Sequence, residues 1–95
     1  MSSLSGKKGV ILGVGNQRSI AWAIAEYFHK HGAELALTYL SDPKGRFESN
    51  VRKLGEKVNA SFIQECDVSD DRAIQSLIDG LNDHWGEMDF LIHSL

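Results

Sequence analysis

The chain has one cysteine, Cys66, in 95 residues, so no disulfide can form within it. A lone thiol fits a reducing compartment, and a cytoplasmic location is the expectation. The single proline, Pro43, falls in the polar stretch 41–45, which reads as a loop. No run approaches the roughly 20 apolar residues that a membrane span needs. Lys7 and Lys8 do precede a short apolar run, but residues 10–14 are too few for the core of a signal peptide and are cut by Gly13. Charge of one sign is also scarce. A net charge of -3 gives no concentrated basic face, which argues against a nucleic-acid partner. What remains is ordinary: 42% apolar and 24% charged residues, the balance of one small soluble domain.

Four short apolar runs alternate with three helical patterns, without an internal repeat or low-complexity linker. Residues 9–13 (Gly-Val-Ile-Leu-Gly) form a continuous apolar run, as in strands buried on both faces. Ser19 can cap a helix carrying Ile20, Ile24 and Phe28 on one stripe, with Ala21 and Ala25 beside them, and Gly32 can stop it. Residues 35–40 read as a second strand. Phe47, Val51, Leu54 and Val58 then recur at helical spacing, and residues 61–65 give a third strand. Ser69 is the expected cap of the next helix, with Asp70 and Asp71 in its first turn, where the helix dipole favours negative charge. Ile74, Leu77, Ile78, Leu81 and Trp85 make its apolar stripe, and residues 89–93 form a fourth strand.

The order β-α-β-α-β-α-β calls for a parallel sheet covered by helices on both faces, an α/β class. Right-handed crossovers place the first three strands in the order 3-2-1. In a doubly wound, Rossmann-like sheet the fourth returns beside the first, giving 3-2-1-4. Ligands of such sheets bind outside the carboxyl ends of the strands, where the order reverses. Gly13 lies at one lip of that crevice and residues 93–95 at the other.

The segment 13–21 joins the first strand to the first helix. A pyrophosphate needs a backbone that it can approach closely and amide donors at a helix amino terminus. Gly13 supplies the tight turn, Gly15 keeps the loop uncrowded, Ser19 offers a hydroxyl where the helix begins, and Ala21 lets helix and strand approach. The common G-x-G-x-x-G fingerprint is not met, because Arg18 stands at the last glycine position.

The loop nonetheless resembles that of the enoyl-acyl-carrier-protein reductases, a divergent branch of the short-chain dehydrogenases whose loop reads G-x-x-x-x-x-S-I-A. Gly13 through Ala21 matches it. So do residues 4–8 (Leu-Ser-Gly-Lys-Lys), residues 32–36 (Gly-Ala-Glu-Leu-Ala), Thr38-Tyr39, Cys66-Asp67-Val68 and His93-Ser94, in the family's order. The resemblance implies that the chain is the amino-terminal, dinucleotide-binding part of such a reductase. The cofactor would be NADH rather than NADPH, the substrate an enoyl-acyl-carrier-protein thioester, and the full-length assembly a homotetramer. It also implies that Gly13, Ser19 and Ile20 contact the cofactor's phosphates and ribose. Asp67 and Val68 would meet the adenine, with Asp67 accepting from its exocyclic amine. Ser94 and Leu95 would lie along the ribose and nicotinamide.

Two absences qualify this picture. A dinucleotide-binding unit usually has an acid near the end of its second strand to hold the ribose. Here the first acid is Asp42, and Leu40 stands where members using NADH carry glutamine. Leu40 therefore belongs to the adenosine end without offering a polar contact, and Lys44 and Arg46 are the cations nearest to a 2′-phosphate. The family's chemistry also uses a tyrosine and a lysine seven positions apart on a later helix. Neither Tyr27 nor Tyr39 can replace them, so these 95 residues alone are expected to be inactive and marginally stable, with an uncovered fourth strand.

Other readings stay open from sequence. Asp67 can equally be a residue that starts a helix. His93 reads as a strand-end histidine, His29 and His31 as solvated residues rather than metal ligands, Cys66 as packing, and Trp22 and Trp85 as packing residues. A 3-oxoacyl reductase, a freestanding nucleotide-binding module and a flavodoxin-like domain are the alternative functions. Ser19-Ile20-Ala21 and His93-Ser94 argue against the first of these. The Gly13 loop argues against the last.

Overall fold

The structure is a computed structural model that describes residues 4–14, 19–40 and 42–93. Seven elements follow in order: β1 (Lys8–Leu12), α1 (Ile20–Lys30), β2 (Glu34–Tyr39), α2 (Arg46–Lys57), β3 (Phe62–Glu65), α3 (Asp71–Trp85) and β4 (Phe90–His93). The strands form one parallel sheet in the order β3-β2-β1-β4, as expected. All four carboxyl ends therefore lie along one edge. The register sets Leu12 beside His93 and Tyr39 beside Glu65.

Alternation along the strands divides the core in two. On one face Ile11, Leu35 and Leu37 meet Ala21, Trp22 and Ala25 of α1 and Val51 and Leu54 of α2. On the other, Val10, Leu12 and Ala36 meet Leu77 and Leu81 of α3. The sheet thus carries helices on both faces, and the buried part of its central strands is apolar but for Thr38 because neither side meets water. Gly9 opposes Phe90, and a side chain at residue 9 would fall within 2.3 Å of the Phe90 ring. The glycine leaves room for that ring, which packs against Phe28 with centroids 4.6 Å apart.

Helix faces differ from their expected stripes in instructive ways. Ile20 does not face the core of α1 but is 72% exposed, whereas Trp22 is buried. Ala21 and Ala25 sit closest to the strands, so the contact line follows the small residues and leaves Ile20 on its margin. Phe47 and Ile78 are likewise exposed at the margins of α2 and α3. Ser69 is not the cap of α3. Asp70 is, its carboxylate accepting from the Arg72 amide at 2.9 Å, because Ser69 lies inside the turn closed by the Asp70 amide on the Asp67 carbonyl. At the far end of α3 the Trp85 indole donates to the Glu34 carboxylate. Gly32 follows the carboxyl cap of α1 at φ 94° and ends that helix, as expected.

Candidate functional site

β1 ends at Leu12, and Gly13 turns the chain out of the sheet at φ 79°. That region costs a side chain roughly 1 kcal/mol or more but costs glycine almost nothing. The Gly13 amide donates to Thr38 Oγ1 at 3.2 Å, and the Val14 amide donates to the Thr38 carbonyl at 3.2 Å. Residues 15–18 of the expected phosphate loop lie outside the described residues. The chain is described again at Ser19, whose extended backbone and side chain cap α1 by accepting from the Trp22 amide at 3.1 Å. No acid occupies the first turn of α1, so the positive end of the helix dipole is not offset by a carboxylate there. Ile20 is the first residue of the helix and the most exposed large apolar side chain of the described residues.

At the end of β2, Leu40 is 47% exposed, with its side chain at the same sheet edge. Asp42 does not reach toward a ribose. Its Oδ1 accepts from the Phe47 amide at 3.0 Å and its carbonyl from the Gly45 amide at 3.0 Å, so it closes the turn that starts α2. Gly45, the capping residue, has no side chain to do this. The cations nearby are paired or exposed. Arg52 Nε donates to Glu48 Oε2 at 2.9 Å, and that hydrogen bond raises its already high pKa. Lys44 and Arg46 are exposed. Tyr39, just before Leu40, is buried, and burial first and the Glu48 carboxylate next hold its phenol protonated.

Beyond β3, the Cys66 amide continues the ladder by donating to the Tyr39 carbonyl at 2.9 Å. Cys66 itself is buried and free. Burial, reinforced by Asp67, Glu65 and Asp70, pushes its thiol up and away from the reactive thiolate. Asp67 is exposed, and its Oδ1 accepts from the Ser69 amide at 2.9 Å and the Ser69 hydroxyl at 2.6 Å. These bonds hold its carboxyl below the usual aspartate range. Asp67 is thus an ionised acceptor that also shapes the turn into α3. Val68 is half-buried beside it, packed against the α3 side of the core. Across the crevice, His93 ends β4 in register with Leu12 and is exposed. Ser94 and Leu95, expected along the ribose and nicotinamide, lie outside the described residues.

The structure therefore brings Gly13, Ser19, Ile20, Leu40, Asp67 and Val68 to the ends of β1, β2 and β3. Sequence reasoning named Thr38 and Asp42 but missed that they accept from the Gly13 and Phe47 amides. A lone hydroxyl in the otherwise apolar run Leu35-Ala36-Leu37 was the available signal for Thr38. An acid shortly before a helix was the signal for Asp42.

The family model described as enoyl-(acyl carrier protein) reductase matches residues 13–95. The chain belongs to that family. Among curated enoyl-(acyl carrier protein) reductases (NADH), it is 46% identical to FabI of Nostoc over 95 residues, all of this chain and 37% of that protein. It is 44% identical to FabI of Synechocystis, again over the whole chain and 37% of the relative. The chain thus spans little more than a third of the curated relatives it matches.

Solved reductases share the fold. FabI of Candidatus Liberibacter asiaticus superposes with a TM-score of 0.91 at 33% identity, over 98% of this chain and 35% of that one. The reductase of Anaplasma phagocytophilum, solved in complex with NAD, gives 0.85 at 42% identity, over 93% of this chain and 32% of that one. No helix among the described residues is long and apolar enough to cross a membrane.

Proposed function

We propose that the chain is the cofactor-binding half of an NADH-dependent enoyl-(acyl carrier protein) reductase acting in fatty acid synthesis. The observation that carries the reading is the turn at Gly13, which leads toward the Ser19-capped end of α1 where the strand order reverses. A glycine backbone and a helix amino terminus suit a pyrophosphate. Ile20 and Leu40 offer apolar surface at the same edge, and Asp67 is an ionised acceptor suited to an adenine amine. Ser94 and Leu95 complete the ribose and nicotinamide side in this reading.

NADH is favoured over NADPH because a 2′-phosphate needs a cation and none adjoins the end of β2: Lys44 and Arg46 come only after the turn that follows it, and Arg52 is held by Glu48. The names of the relatives support the same choice. When bound, NADH supplies the hydride that adds to the β-carbon of a trans-2-enoyl thioester. This chain's residues bind and orient the dinucleotide for that transfer. Stabilising the enolate and moving its proton falls to a tyrosine and lysine outside the 95 residues. Tyr27 lies exposed on α1 against His31, and Tyr39 is buried beside Glu48. The resemblance further supports a cytoplasmic homotetramer.

The test is titration of the full-length protein with NADH and with NADPH, followed by transfer from tryptophan to the nicotinamide. Saturable binding with preference for NADH is expected, together with NADH oxidation by an enoyl thioester. Ser19→Ala and Asp67→Ala should each weaken binding several-fold, by about one hydrogen bond. Failure of the intact protein to bind either dinucleotide overturns the reading.

A further inference from the structure

Thr38 is the only polar or charged side chain among the described residues that is buried in the core, with 0% exposure. It lies on β2, one residue past the last regular pair with β1, Ile11 and Leu37. A valine would fill the same space and suit the strand equally well, so packing alone does not account for the hydroxyl. Its surroundings do. Where Gly13 leaves the strand direction, its amide donates to Thr38 Oγ1, and the next amide, Val14, donates to the Thr38 carbonyl, each at 3.2 Å. One residue thus takes two successive donors at the point where the chain departs toward the capped end of α1.

We infer that Thr38 is a positioning residue for the dinucleotide, acting through Gly13, and this rests on the reading of the site given above. The side chain lies beneath the turn, in the core. By holding the Gly13 amide inward it fixes the direction in which the loop leaves β1, and hence where a pyrophosphate can seat. Without this bond the turn at Gly13 and Val14 would sample directions that do not fit the ligand, which weakens binding without changing the chemistry that follows.

The experiment compares Thr38→Val, Thr38→Ser and Thr38→Ala in the full-length protein. It reads KM for NADH, kcat at saturating NADH, direct NADH binding and the melting temperature. Loss of Oγ1 in Thr38→Val should raise KM and Kd for NADH by about 5- to 10-fold while kcat stays within about twofold. Thr38→Ser, which keeps Oγ1, should bind within about twofold of the parent even if it melts lower. If Thr38→Val does not fold, the same contrast is read between Ser and Ala, both of which lack the methyl. Unchanged NADH affinity in Thr38→Val overturns the inference. So does an affinity loss that follows the melting temperature across all three variants, because that is a purely structural role. If the unsubstituted protein binds no NADH, the functional reading itself fails and the inference falls with it.

Discussion

The two faces of the sheet are built from the same four strands but are covered unequally. On the α1/α2 face, residues from two strands and two helices are buried together, and Ile11, Leu35, Leu37 and Val51 have no exposed surface. On the α3 face a single helix covers Val10, Leu12 and Ala36, and Ile78, Met88 and Leu91 stay 52%, 40% and 49% exposed. Those three border an open groove of about 260 Å³ that runs from Leu91 to Cys66. β4 also has only β1 as its neighbour, so its outer edge is free among the described strands. The comparison separates two jobs. One face holds the sheet together, while the other, together with the edge of β4, carries apolar surface that adds little to the stability of these residues.

The largest expected effect tests that division directly. Leu37→Ala removes a fully buried side chain from the covered face and should cost about 3 kcal/mol. Leu91→Ala on the open face should cost about 0.5 kcal/mol or less, since half of that side chain already meets water. Urea unfolding of the 95-residue chain in a stabilising osmolyte, followed by the fluorescence of Trp22 and Trp85, measures both. Equal losses would mean that the open face is covered in solution.

A second, smaller effect concerns how β4 is joined to the covered face. Gly9→Ala would set a methyl against the Phe90 ring, whose nearest atoms lie 2.0 to 2.3 Å from that position. The ring is trapped between β1 and Phe28, so it must leave its seat, at about 2 kcal/mol. Combining Gly9→Ala with Phe90→Leu should cost less than the sum of the two, since the smaller side chain relieves the clash. Additive losses in that double-mutant cycle would show that the glycine serves something other than the ring.

Much of this was legible in the chain. Apolar runs of strand length, separated by helical spacings and one glycine turn, imply the 3-2-1-4 sheet, because right-handed crossovers leave few other arrangements. The site was legible in part. Gly13 and Ser19 have recognisable local reasons, a turn and a cap, and these survive folding. Ile20, Phe47 and Ile78 were less readable, since periodicity gives the apolar arc of a helix but not which part of the arc touches the sheet. In α1 two alanines decide that line, and size complementarity across an interface is invisible in a single helix. The roles of Thr38 and Asp42 were missed for a related reason. Their value lies in the Gly13 and Phe47 amides that they accept from, and the Gly13–Thr38 bond crosses between strands 25 residues apart.

The smallest predicted effect sits where α3, the sole described helix on the sparse face, is launched. Asp67 accepts two hydrogen bonds from Ser69, and these favour its charged form in the folded state. With a folded pKa below the unfolded value of about 3.9, the unfolded chain takes up the proton first as pH falls. The contribution is therefore present above the unfolded value and is lost as pH falls through the lower folded one. Asp67→Asn keeps an oxygen that can accept from Ser69 but removes the titration. The urea midpoints of the two proteins should differ at pH 6, and the difference should shrink progressively as pH falls below about 4, because only the parent loses this contribution as its carboxyl takes up a proton. A difference that stays constant with pH would mean that the Ser69 bonds do not distinguish the charged from the neutral carboxyl. The turn into α3 would then be held by shape alone, with Asp70 and Asp71 as the acids at the start of that helix.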